Sequence, residues 1–352
     1  MQLNSYGIGL MSGTSLDGLD IAFCEFKFQQ GYYSFRILKT EEIVYDQVWK
    51  DRLSNSINLS GKDLMILDKD FAQFCAIQVN NFLEGQEQKP EYIASHGQTV
   101  FHDPIEGYTT QIGNGAIISA LTGITTISDF RSTDVALGGQ GAPLVPIGDH
   151  FLFSDYDACL NLGGISNISY LSNGRRIAYD ISICNMALNY LSEKLNQPYD
   201  QDGKLAQSGT VIEDLLMEMN HFPFFKQSPP KSLGKEWFIS NLQPLLESSK
   251  ASVPDLLATM VEHISLKISE VLPKWGEILV TGGGALNSYL IQKIQSKTEA
   301  KIIIPDQQII KFKEAIIFAF LGFLRLNHQI NTLSDVTGAI KNSCGGAVYY
   351  MK

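Results

Sequence analysis

Residues 5–28, SYGIGLMSGTSLDGLDIAFCEFKF, read as a strand, a glycine turn and a second strand. Apolar side chains alternate with small or polar ones on both sides of MSGTSLDG, the pattern of a half-buried hairpin. The same order returns in residues 156–181, YDACLNLGGISNISYLSNGRRIAYDI, as strand, NLGG turn, strand, a hairpin turn at Ser172–Gly174, and strand. A third glycine turn, TGGGALN (281–287), follows the strand-like EILV (277–280) and opens a helix. The recurrence predicts a structural duplication, carried by pattern and not by identity.

Outward from these turns the chain keeps an α/β rhythm. Residues 33–45 read as a third strand, 59–85 as a helix with Ser60 as N-cap, and 91–103 as one short buried strand with polar residues at its exit. A helix over 114–121 and a strand over 124–130 follow, and a second rhythm begins near 129–146. Helices are expected over 184–195, 208–225, 254–273 and 313–329, a buried strand over 300–306, and a closing strand in AVYYMK. No low-complexity linker separates the halves. The fold expected is α/β and two-lobed, with one lobe of residues 1–132 plus about 333–352, the other of 133–332, and a cleft between them.

Composition narrows the function. The 352 residues hold 27 Lys and Arg against 37 Asp and Glu, a net charge of −10, which argues against a nucleic-acid partner. Hydrophobic residues make up 44 %, ample for a core and unlike a disordered chain. The five cysteines (24, 75, 159, 184 and 344) are odd in number and form no CxxC pair, so they read as buried thiols in a reducing compartment. No basic-then-apolar leader and no run of 18 apolar residues is present, so a cytoplasmic protein without a membrane partner is expected. The apolar helix 313–329 is read as core, and a homodimer is left open.

A glycine turn after a strand lets backbone N–H groups approach an anion. Neither the dinucleotide spacing nor GxxxxGK[ST] occurs in usable context. Thr14 and Ser15 add hydroxyls to the first turn, and Asp17 and Asp20 add carboxylates, a set that suits a Mg-nucleotide. The plain structural alternative is a polar hairpin capped by Asp17. Asp129 ends an apolar strand beside Arg131 and Asp134, and Asp180 ends RRIAYD before a helix. Either could take a proton from a hydroxyl or water, or serve as an N-cap or ion-pair partner. His96 and His102 are too far apart for HExxH, no GxSxG elbow occurs, and Lys231 is either a phosphate or sugar-carboxylate contact or a surface lysine.

GLMSGTSLDGLDIA (9–22), SHGQTVFHDP (95–104), TQIGNG (110–115), DFRSTDVALGGQGAPLVP (129–146), NLGGISNIS (161–169), PPKSLGKEWF (229–238), VTGGGALN (280–287), KEAIIFAFLG (313–322) and VTGA (336–339) together resemble the bacterial 1,6-anhydro-N-acetylmuramic acid kinases. The motifs run through nearly the whole chain in family order. The resemblance implies the superfamily of sugar kinases, Hsp70-type chaperones and actin, with duplicated, ribonuclease H-like domains around a nucleotide cleft. It implies ATP and Mg²⁺ at Gly9, Ser12, Gly13, Thr14, Ser15, Asp17 and Gly18, with Asp17 near the metal through water, and at the second phosphate loop, Asn161, Gly163 and Gly164. The third turn, Gly282, Gly283, Gly284 and Asn287, would pack near the adenosine and α-phosphate. His96, Gln98, Asp129, Arg131 and Glu314 would face the sugar, 1,6-anhydro-N-acetylmuramate, and Asp180 would be the base.

The family reaction adds water at the anomeric carbon, opens the 1,6-anhydro bridge and phosphorylates O6, giving N-acetylmuramate 6-phosphate and ADP, a step of cell-wall sugar recycling. One segment departs from the family. D-T-G-P-G-N is here Asp180-Ile181-Ser182-Ile183-Cys184-Asn185, which keeps the ends and loses both glycines and the proline. A different chain path is expected there, with Ser182 restoring the hydroxyl lost at Ile181. Two other readings remain at this stage: a kinase acting on an ordinary sugar hydroxyl, and a non-catalytic binder of nucleotide or cell-wall sugar.

Overall fold

The computed structural model describes residues 2–351. The chain divides into two compact units, one of residues 1–152 with 312–352 and one of 153–311. The strands are β1 Leu3–Ser12, β2 Gly18–Gln29, β3 Tyr32–Val44, β4 Tyr92–Ser95, β5 Gln98–Asp103, β6 Tyr108–Ile112, β7 Thr125–Ser128, β8 Ala158–Leu162, β9 Ile165–Ser172, β10 Arg175–Ile183, β11 Glu277–Thr281, β12 Lys301–Ile303 and β13 Ala347–Tyr349.

The first unit holds a six-stranded sheet in the order β13-β7-β4-β1-β2-β3 and a small β5–β6 ribbon. β1, β2 and β3 form an antiparallel meander, while β4 joins β1, and β7 joins β4, in parallel. The second unit has the order β10-β9-β8-β11-β12, again an antiparallel meander followed by two parallel strands. Each unit thus combines an antiparallel meander with parallel strands, and the chain is α/β and two-lobed, as expected.

Each sheet buries apolar residues under helices. In the first unit, Ile8, Leu10, Ile21 and Phe23 of the meander pack with Phe71, Cys75 and Val79 of the helix Gly61–Phe82. Ser60 caps that helix by accepting from Asp63 N–H. In the second, Leu160, Ile168, Ile278 and Val280 pack with Leu257, Val261 and Ile264 of the helix Val253–Ser269. All five cysteines are free thiols, four of them buried. Among the described residues no helix is long and apolar enough to cross a membrane.

The units divide after Leu152 and Lys311, whereas the sequence rhythm placed the breaks after 132 and 332. The helix Gln307–Leu326 explains the shift. A Cβ on Gly9 of β1 would lie 1.8 Å from the Ala315 carbonyl oxygen, and Tyr92 donates to the Ala319 carbonyl at 2.9 Å, so most of this helix is core to the first unit. Residues 146–151 join it through the buried ion pair Lys313–Asp149 (2.7 Å) and the close approach of Gly148 to Ile317. Residues 91–103 are two strands, not one, because Gly97 turns the chain at φ +75° between β4 and β5.

Candidate functional site

In the first unit, the turn between β1 and β2 carries Thr14, Ser15 and Asp17 on exposed positions, closed by Leu16 N–H donating to Gly13 O at 3.2 Å. Ser12 is buried beneath it. Its hydroxyl donates to Gln98 Oε1 at 2.5 Å and lies 2.7 Å from Tyr45 Oη. Ser12 and Gln98, expected at the nucleotide and the sugar respectively, therefore bond each other and tie the turn to β5.

His96 lies next to this network. Its Nδ1 faces two acceptors, Gly97 O at 2.8 Å and Ser12 O at 3.2 Å, so Nδ1 carries the proton. Its Nε2 then accepts from Arg131 Nε (3.3 Å) and Nη2 (2.8 Å). Burial, followed by the Arg131 charge, pushes the imidazole down to about 3, which leaves it neutral at physiological pH. Arg131 also donates through Nη1 to Gly141 O at 2.6 Å. Burial pulls its guanidinium down to about 10, against the charges of Glu314 and Asp134, so it stays cationic at neutral pH.

Glu314 is exposed to solvent yet surrounded closely enough that burial raises its carboxyl, opposed by Arg131 and Lys313. Asp129 sits at φ +57°, and its Oδ1 accepts from Ser132 N–H at 3.3 Å, so it caps a turn while remaining accessible. Asp134 is buried and structural, accepting from Thr337 Oγ1 at 2.7 Å and from Gly141 N–H at 2.8 Å. A hollow of about 280 Å³ opens within this unit, lined by His96, Gln111, Asn114, Ser128 and Asp129. Gln111 and Asn114 lie in TQIGNG, a run the sequence had signalled without giving it a role. A hollow of about 590 Å³ in the second unit, lined by Leu286, Ile291, Gln292, Ile302 and Ile304 among others, has no ionisable side chain in its wall.

In the second unit, the NLGG and TGGGALN turns pack backbone to backbone. A Cβ on Gly282 would lie 2.6 Å from Asn161 Oδ1 and 2.8 Å from Leu162 O, and one on Gly284 would lie 2.7 Å from Leu162 Cβ. Asn185, whose place at the turns the sequence did not reveal, joins them. Its Nδ2 donates to Leu162 O at 2.8 Å, and its Oδ1 faces the Cβ direction of Gly284 at 3.1 Å. The backbone N–H of Cys184, Asn185 and Met186 occupies the carbonyls of Gly163 and Gly164 at 2.9–3.1 Å. Asn287, expected at the nucleotide, caps the helix Ser288–Gln295 by accepting from Leu290 N–H at 3.0 Å.

These contacts sort the glycines. Gly9, Gly18, Gly282 and Gly284 each have a protein atom within 2.7 Å of the Cβ position, so the fold itself excludes a side chain. Gly13, Gly164 and Gly283 meet nothing nearer than 3.6 Å and have no left-handed φ, whereas Gly163 meets Asn161 Nδ2 at 3.2 Å and Ile165 O at 3.4 Å. Packing does not account for the first three. Open backbone at a strand-end turn is the feature that lets N–H groups approach phosphate oxygens.

Asp180 lies on β10, which runs on to Ile183 instead of ending at the aspartate. A bulge between Asp180 and Ser182 leaves Ile181 unpaired, and Ile181 enters the core at 2 % exposure. Ser182 is fully buried and donates to Ile183 O at 3.0 Å, so it does not restore a hydroxyl to the site. The half-buried Asp180 carboxylate accepts from Leu233 N–H at 2.8 Å through Oδ2. Burial raises its carboxyl above the ordinary range, and the Leu233 bond opposes this. Lys231 places its Nζ 3.4 Å from Phe224 O and over the Phe224 ring at 4.6 Å. Among the described residues no group of three or more His, Cys, Asp or Glu is placed to hold a metal.

Comparison with known proteins shows the family. Residues 5–351 match the family profile described as anhydro-N-acetylmuramic acid kinase. A protein of that name from Sulfurimonas denitrificans is 34 % identical over 99 % of this chain and 100 % of its own length. One from Nitrosomonas europaea is 36 % identical over 98 % of this chain and 99 % of its own.

Proposed function

This chain belongs to the anhydro-N-acetylmuramic acid kinase family, and we propose that it opens the 1,6-anhydro ring of 1,6-anhydro-N-acetylmuramate with water and phosphorylates O6 from ATP. The products are N-acetylmuramate 6-phosphate and ADP. The observation that carries the reading is Asp180, a half-buried carboxylate anchored through one oxygen, with its proton affinity raised by burial. A carboxylate so placed is a better base than one in water.

In this reading Asp180 takes a proton from the water that attacks the anomeric carbon. The bridging oxygen has no proton to lose, so the base serves the water. The C1–O6 bond breaks as the new C1–O bond forms, and O6 takes the γ-phosphoryl group. Open backbone at Gly13, Gly164 and Gly283, with the hydroxyls of Thr14 and Ser15, supports a role for these turns in holding the nucleotide phosphates. His96 is neutral and donates its one ring proton to the backbone, so its part is to orient Arg131. Arg131, cationic and held through Nε and Nη2 by His96 and through Nη1 by Gly141, offers its two remaining N–H groups to an anionic sugar. Asp129 and Glu314 are assigned to sugar hydroxyls.

Mg²⁺ would fit as a partner of ATP: the exposed Asp17 would hold it through water, and the metal would supply charge neutralisation to the phosphates. The fold assigned is the duplicated, ribonuclease H-like architecture of the actin superfamily, supported by the matching strand orders. A coupled ADP-release assay on the anhydro-sugar, with N-acetylmuramate, N-acetylglucosamine and glucose as controls, tests the proposal. Turnover is expected with the anhydro-sugar, with oxygen from labelled water at C1. Label absent from C1, or turnover only with a control sugar, refutes it.

A further inference from the structure

The segment Pro230–Gly234 touches the proposed base at two points. Asp180 N–H donates to the Lys231 carbonyl at 3.1 Å, and Leu233 N–H donates to Asp180 Oδ2 at 2.8 Å. The Leu233 bond spans 53 residues of sequence, and both contacts fall on Asp180, which pairs with Asn167 of β9 immediately before the bulge at Ile181. Asp180 thus keeps its place beside Asn167, and the outside segment adds one bond to its backbone and one to its side chain, next to the point where the ladder is interrupted. Among the described residues Asp180 Oδ1 has no hydrogen-bond partner. The segment is itself anchored: the Leu233 side chain and Trp237 pack on the core of this unit, and Lys231 Nζ is turned toward Phe224 O and the Phe224 ring.

We propose that Leu233, through its backbone N–H, is a positioning residue for the base, and that the Lys231–Leu233 clamp commits Oδ2 to structure and leaves Oδ1 to take the proton. This rests on the reading of Asp180 as the base. The carboxylate cannot rotate about Cβ–Cγ without losing the Leu233 bond, so its proton-accepting oxygen keeps one direction. Preorganisation of this kind is what a base needs if it is to meet water in one geometry. Lys231 Nζ is engaged away from the carboxylate, 4.6 Å from the centre of the Phe224 ring and 5.9 Å from that of Tyr179. Burial raises the Asp180 carboxyl, and the Leu233 bond lowers it.

Two measurements test the clamp. In the unaltered protein, the amide proton of Leu233 should titrate with the Asp180 carboxyl in ¹⁵N-correlated spectra, and this titration should vanish in Asp180→Asn. Leu233→Pro deletes the donor and should move the acid limb of kcat/KM upward by about 0.5–1 pH unit. Leu233→Ala retains the N–H and should leave that limb in place. A Leu233 amide that does not titrate overturns the clamp, as does an unmoved acid limb in a folded Leu233→Pro protein. If the proline variant does not fold, the spectra of the unaltered protein decide. Turnover that survives Asp180→Asn overturns the base assignment and the positioning role with it, even where the Leu233 amide still titrates.

Discussion

Two glycine-to-alanine changes in the second unit, each adding one methyl group, should have opposite effects. At Gly284 the new Cβ would lie 2.7 Å from Leu162 Cβ, 3.0 Å from Leu162 O and 3.1 Å from Asn185 Oδ1. The backbone of the NLGG turn cannot retreat without loosening β8, so this is overpacking, worth about 1–3 kcal/mol. For a unit of this size that lowers Tm by roughly 2–4 °C per kcal/mol. At Gly164 the nearest atoms are Met186 Cε at 3.7 Å and Cβ at 3.9 Å, ordinary contacts, and φ is not left-handed. Alanine there should leave stability unchanged or raise it by about 0.4–1 kcal/mol, because the unfolded chain loses freedom. If the open face of Gly164 admits phosphate, the same methyl group should lower kcat/KM for ATP by about 10- to 100-fold, equivalent to roughly 1.4–2.7 kcal/mol of transition-state binding. Thermal melts and ADP release on both variants separate the effects. A Gly164→Ala protein with normal ATP kinetics refutes the assignment of that space to the nucleotide. A Gly284→Ala protein with unchanged Tm refutes the packing argument.

Asn185→Ala should lose the bond to Leu162 O, costing about 1 kcal/mol, and raise the KM for ATP several-fold by loosening both glycine turns; steady-state kinetics beside a urea melt would show whether the two losses occur together. Asp149→Ala should destabilise the protein by about 3–5 kcal/mol, since it leaves Lys313 buried without its carboxylate; adding Lys313→Met should recover part of the loss, and no recovery in urea melts would contradict the ion-pair account. His96 and His263 are buried with their imidazoles pushed from 6.5 down to about 3. A folded state that binds these protons less tightly than the unfolded chain is favoured above pH 6.5 and loses that advantage as pH falls toward 3. Urea melts between pH 7 and 4 should therefore show a shallower decline in His263→Gln than in the unaltered protein, and equal slopes would count against the assignment.

Periodicity carried the fold and failed at the borders. Alternation around MSGTSLDG and NLGG predicted both meanders, and Ser60 announced its helix through a local cap bond that sequence can show. The division of the chain was not legible in the same way. The apolar run from Ala315 to Leu324 marks a buried helix but does not say which sheet it covers. That depends on Gly9 and Gly322, which let the helix approach β1 and β4, and on contacts more than 200 residues apart in sequence. Among the candidate residues, spacing brought out the glycine turns and Asp180. It gave no sign that Ser12 would bond Gln98, or that Leu233 would bond Asp180, because each bond needs the tertiary fold to exist.

The segment after Asp180 shows how composition misleads at one place. Losing two glycines and a proline suggested a displaced turn with a substitute hydroxyl at Ser182. Instead the residues that replaced them are those of a strand: Ile181 and Ile183 are buried in the core, and β10 is carried three residues past Asp180. The bulge at Ile181 lets successive residues turn inward without breaking the ladder, because Ser182 resumes pairing with Ser166. Asn185 then starts the next helix close enough to the NLGG turn to bond Leu162 O. Both retained ends of the motif therefore keep defined contacts, the aspartate to Leu233 and the asparagine to the glycine turns, while the interior has exchanged flexible backbone for buried apolar surface. Ile181→Gly reverses that exchange, removing a core side chain and restoring backbone freedom beside the bulge. It should cost about 2–5 kcal/mol of stability, in the range of large-to-small core changes, so the strand form at Asp180 is the one this chain's own core maintains.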